Sequence, residues 1–109
     1  MEPSKGGVPV REVTARTIME TVADLCQEAN YTLGEDLFAA LQRSIAQEKS
    51  PVGKHCLQAL YDNALLAKEE KMPVCQDTGM AVVFIDLGQE VAIVAGDINE
   101  ALDEGVRQG

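Results

Sequence analysis

A change of hydrophobic period near Pro73 constrains this chain more than any other feature. Up to Lys71 the apolar residues recur at three- and four-residue spacing, as amphipathic helices require. Beyond Pro73 the stretch Met80–Leu87, MAVVFIDL, is apolar and rich in β-branched residues, the composition of a strand. A chain of 109 residues that makes this switch once has room for one small domain. The expected fold class is therefore α+β: an amino-terminal region of three helices, then a β-hairpin and the start of another helix.

The boundaries follow from local chemistry. Residues 1–12 read as a flexible arm, because Pro3, Gly6, Gly7 and Pro9 disfavour regular structure. Residues 13–71 read as the helical region. The first helix starts near Thr14 and turns Ile18, Val22, Leu25, Cys26 and Ala29 to one face. NYTLGED ends it, and a second helix begins near Glu35 with acidic residues in its first turn and a stripe of Leu37, Phe38, Leu41 and Ile45. Ser50 before Pro51 marks the N-terminus of a third helix, whose buried side is expected to carry Cys56, Leu57, Leu60, Ala64 and Ala67. Residues 72–109 then hold a polar loop, two strands and a truncated helix. Met80–Leu87 and Val91–Val94 are expected to pair antiparallel about Gly88 and Gln89, and Asp97 with Glu100 suggests a capping box. Two strands make no stable sheet alone, so the segment is expected to be part of something larger.

Charge narrows the function. The net charge of −9 argues against nucleic acid and against adsorption to an anionic membrane, since both need clustered Lys and Arg. It leaves room for a small anionic substrate held by a few local donors. The longest apolar run is too short to span a bilayer, no secretory signal opens the chain, and the cysteine count is odd. The expected setting is cytoplasmic, with reduced thiols.

Cys26 and Cys56 lie on apolar helix faces and read as small core residues. Cys75 lies on a connection, in MPVCQDTGMAVV, beside Gln76, Asp77, Thr78 and Gly79. An ordinary turn would account for Asp77, Thr78 and Gly79, and Cys75 could be a plain loop cysteine. No CxxC pair supports a zinc site. His55 reads as a surface or capping residue, and Asp24/Glu28 and Glu69/Glu70 as solvated helix faces.

EEKMPVCQDTGMAVVFIDLGQEV closely resembles the iron–sulfur-dependent class I fumarate hydratases and the related L-tartrate dehydratases. ALYDNALLAKEE before it and GDINEALDEGVRQG after it are also similar, so the resemblance covers about residues 12–109. It implies the amino-terminal part of the alpha, cluster-binding subunit of a hydro-lyase that interconverts malate and fumarate, or of a tartrate dehydratase. In that family three cysteines hold a [4Fe-4S] cluster and its fourth iron binds substrate. Cys75 matches the first of those ligands, whereas Cys26 and Cys56 match none; the other two ligands are expected outside this sequence. Gln76 and Asp77 match substrate-contacting positions, with Asp77 also expected to be catalytic, and Thr78 and Gly79 are expected to shape the turn. The implied partners are a dicarboxylate, the remainder of the alpha subunit and a beta subunit or domain, in a homo- or hetero-oligomer. No arginine clamp is evident, and Arg107 on the last helix is a weak candidate. The segment alone, with one ligand, is expected to hold no cluster and to be inactive. A non-catalytic helical interaction module is the competing reading.

Overall fold

The computed structural model describes residues 10–77 and 79–109. The order of elements is β1 (Arg11–Thr14), α1 (Ala15–Tyr31), α2 (Glu35–Gln47), α3 (Pro51–Glu70), β2 (Val91–Val94) and α4 (Ile98–Gln108). The α+β class holds. The chain divides into two compact units, one of residues 1–26 with 80–109 and the other of residues 27–79.

In the first unit β1 and β2 pair in parallel, with Arg11 opposite Val91 and Thr14 opposite Val94. Arg11 N–H donates to Glu90 O at 2.7 Å. The pairing overturns two expectations. The strand begins inside the stretch read as an arm, of which residues 1–9 lie outside the described residues. The expected hairpin is also absent: the turn forms, with Val91 N–H donating to Gly88 O at 3.2 Å, but Met80–Leu87 is not assigned as a strand and does not pair with β2. The reason is that an apolar β-branched run fixes backbone preference but not the partner. β1 is short and polar at Arg11 and Glu12, and so gave no strand signal of its own.

Met80–Leu87 is nonetheless an anomaly. Its backbone makes no hydrogen bond among the described residues. Exposure alternates along it, with Val82 and Phe84 at 68 % and 93 % and their neighbours Val83 and Ile85 at 43 % and 48 %. Residues 83–87 of this stretch, both exposure sets included, join Ile18, Val22 and Leu25 around an apolar groove of about 350 Å³.

Thr14 closes β1 and opens α1: its Oγ1 accepts from Thr17 N–H at 3.1 Å, satisfying one of the helix's free amides. Asp97 does the same for α4, accepting from Glu100 N–H at 3.1 Å; the forward half of the expected capping box is present. Between β2 and α4 the chain turns through Ala95 and Gly96, both at positive φ, and a Cβ on Gly96 would stand 2.8 Å from Ala15 Cβ.

α4 lies close against α1 through small residues, with Ala101 and Gly105 buried. A Cβ at Gly105 would stand 2.6 Å from Met19 O and 2.8 Å from Val22 Cβ. Alanine is the better helix former by about 1 kcal/mol, but a methyl against a backbone carbonyl cannot rotate away. Gly105→Ala is therefore expected to destabilise the chain by about 1–2 kcal/mol on thermal unfolding. An unchanged or raised melting temperature would show that the helices have room.

In the second unit α2 packs on α3. Phe38 and Tyr61 meet edge to face, with centroids 5.7 Å apart, and Gln42 Nε2 donates to Tyr61 Oη at 3.0 Å. Ser50 caps α3, accepting from Gly53 N–H at 3.3 Å, with Pro51 in the first turn. Ala64 and Ala67 are buried as expected, but Cys56 and Leu60 are exposed and Leu57 is half-buried. The three- and four-residue spacing identified an apolar stripe wider than the surface α2 covers. Across the described residues the buried apolar positions are Ala15, Val22, Ala64, Ala67 and Ala101, the alanine-rich core that four aromatics in the sequence foretell.

Candidate functional site

The loop with Cys75 grows out of the end of α3. Lys71 takes a left-handed conformation (φ 53°, ψ 49°), and the N–H groups of Lys71 and Met72 both donate to Ala67 O, which stops the helix before Pro73. Val74 is then held at both ends of its backbone. Its N–H donates to Asn30 O at 2.9 Å, and its C=O accepts from Asn63 Nδ2 at 2.7 Å. Asn30 lies at the end of α1 and Asn63 midway along α3, so two helices fix the residue that precedes Cys75.

Beyond that root the loop is open. Cys75, Gln76 and Asp77 are exposed and adjacent, and none makes a hydrogen bond among the described residues. Thr78 lies outside the described residues. A Cβ on Gly79 would meet nothing within 4 Å, so no close approach demands glycine there.

The other cysteines stand apart from this loop in the sequence and differ in setting. Cys26 is half-buried on α1, where its Cβ lies 2.6 Å from the position a Cβ on Gly109 would take. Cys56 is exposed on α3, which corrects its assignment to the core. Among the described residues no three His, Cys, Asp or Glu side chains gather as a metal site. Of the two exposed cysteines, Cys75 is the one on a loop whose root is held by two helices. His55 is exposed. Arg107 is committed to Glu104, donating through Nε at 2.7 Å and through Nη2. That contact, with a bond from Gln108, holds the Glu104 carboxyl down at about 2 and raises the guanidinium. The sequence did not single out Asn63 or Asn30, because neither contact is local in the chain.

An exposed thiol, amide and carboxylate in sequence, on a loop rooted in two helices, is an arrangement suited to ligand binding or catalysis rather than to packing. The family model for fumarate hydratase (Fumerase) matches residues 19–109, and the chain belongs to this family. It is 35 % identical over 92 residues to "Putative L(+)-tartrate dehydratase subunit alpha" of Methanocaldococcus jannaschii, covering 84 % of this chain and 32 % of that protein. It is 24 % identical over 98 residues to L(+)-tartrate dehydratase subunit alpha of Escherichia coli strain K12, covering 90 % of this chain and 32 % of that one. The same protein of Shigella boydii gives the same figures. The chain thus spans about a third of the length of these relatives. No solved structure matches it significantly. No helix among the described residues is long and apolar enough to cross a membrane.

Proposed function

We propose that this chain is part of the alpha subunit of a [4Fe-4S]-dependent hydro-lyase that interconverts malate and fumarate, with Cys75 as one cluster ligand. The observation that carries the reading is the solvent-facing Cys75-Gln76-Asp77 loop, rooted at Val74, in a chain of the fumarate hydratase family. The other two ligands, the base for the C–H proton and the cationic clamp for the substrate are assigned to polypeptide beyond this sequence. The same holds for the beta subunit that an alpha subunit implies. The exposed apolar stretch Met80–Leu87 fits such a larger domain, since large apolar surfaces mark contacts. A cytoplasmic location, the oligomer and the division into a helical region followed by a 72–109 motif region belong to the same proposal.

The residues divide the work by their chemistry. Cys75, as a thiolate, would be one ligand of the cluster. Bound there, the cluster would supply a Lewis acid for the substrate hydroxyl. Gln76 donates its amide N–H to a substrate carboxylate and orients it without adding charge. Asp77 carries the proton that the departing hydroxyl needs to leave as water; in the hydration direction it takes that proton back. These three groups make no hydrogen bond among the described residues, which keeps them available for substrate and cluster.

Tartrate is the second reading, favoured by the names of the relatives. The complete protein, purified without oxygen together with any beta subunit, decides between them. Fumarate formation from malate, lost in air and restored by iron and reductant, is the expected result. Oxaloacetate from tartrate with no turnover of malate would select the second reading. No iron and no turnover with either would return the loop to an ordinary turn.

A further inference from the structure

We propose that Asn63 is a positioning residue for Cys75, acting through the peptide bond between Val74 and Cys75. The role assigned to Cys75 rests on the reading above; the contact itself does not. Asn63 Nδ2 donates to Val74 O at 2.7 Å from a helix 11 residues earlier in the chain. That oxygen belongs to the same planar unit as the Cys75 amide, so holding it sets the plane from which Cys75 departs. The opposite side of Val74 is tied to Asn30 O at 2.9 Å. Beyond Val74, neither Cys75, Gln76 nor Asp77 has a hydrogen bond of its own among the described residues. On its N-terminal side the loop that carries all three is therefore placed by this anchored residue.

The chemistry of the contact is specific. A carbonyl oxygen requires a donor, which an Asn amide supplies and an Asp carboxylate of the same shape does not. Gln supplies the donor one methylene further out. Asn is also a poor helix former, so its place in the interior of α3 gains nothing from propensity. Because both Val74 bonds lie on one residue, losing the Asn63 bond loosens the Asn30 bond with it. The Val74 amide then opens more often.

Amide exchange of the full chain, read residue by residue by NMR, tests this. Asn63→Ala and Asn63→Asp should each speed exchange of the Val74 amide about fivefold, the ratio that one net hydrogen bond of ordinary strength supports. The amide of Ala67, inside α3, should be unchanged, and Asn63→Gln should fall between these variants and the parent. In the assembled enzyme Asn63→Asp should release iron to a chelator faster and lower kcat with little change in KM. A Val74 amide that exchanges at the parent rate in Asn63→Asp would overturn the proposal. So would parallel acceleration at Ala67, which would mean general loosening of α3. If instead Cys75→Ser kept its iron and turnover while the Val74 effect held, the site reading would fall and the control of Cys75 by Asn63 would stand.

Discussion

Cys75→Ser in the complete enzyme is expected to lose its iron–sulfur cluster and with it all measurable hydration of fumarate, while folding as well as the parent. The expectation separates two roles that a cysteine can have. A buried thiol fills space, and its loss shows in the melting temperature. Cys75 is exposed and makes no hydrogen bond among the described residues, so the protein has no packing to lose there. What disappears is a soft anionic ligand: an alkoxide is unavailable at neutral pH, and a serine hydroxyl does not replace a thiolate on iron. Iron content, cluster absorbance and turnover, measured beside far-UV circular dichroism and thermal unfolding, give the whole answer. A serine variant with parent-like iron and activity would remove Cys75 from the site. Cys56→Ser is the matched control, being equally exposed on α3 and expected to change nothing.

Asp77→Asn is expected to keep the cluster and to lower turnover by about 10²–10⁴-fold, the range associated with a positioned acid–base group. The amide has the shape of the carboxylate but can neither carry nor return the proton that accompanies water. Asp77 is exposed and unpartnered among the described residues, so the substitution breaks no structural bond. The loss should fall on kcat more than on KM, because Asn can still contact the substrate hydroxyl. If KM rose while kcat held, Asp77 would be a binding residue only. If neither moved, the plain-turn reading of Asp77, Thr78 and Gly79 would stand.

The legibility of the chain varied with the range of the interaction. Helix starts were readable because capping is local: Ser50 and Asp97 each accept from an amide three residues on, as their positions suggested, and Thr14, near which the first helix was expected to start, does the same. The second strand, Val91–Val94, was readable from its composition. Its partner was not. Parallel pairing with Arg11–Thr14 joins residues about 80 apart in the sequence, and nothing in REVT marks it as a strand. The burial of Cys56 and Leu60 was misjudged for a related reason. Spacing tells which residues share a helix face but not how far a neighbour extends over it.

The sequence by itself determined the helices, their caps and the halt at Pro73. It also determined the cluster of thiol, amide and carboxylate at Cys75, Gln76 and Asp77, because each rests on residue chemistry within a few positions. Tertiary structure decided the rest: which strand meets β2, that Gly105 admits α1 to within contact of a backbone carbonyl, and that Asn30 and Asn63 grip Val74 from two helices. Those contacts are long-range meetings of ordinary side chains and backbone groups. A donor and an acceptor 11 or 44 residues apart leave no periodic trace, and only the folded chain brings them within 3 Å.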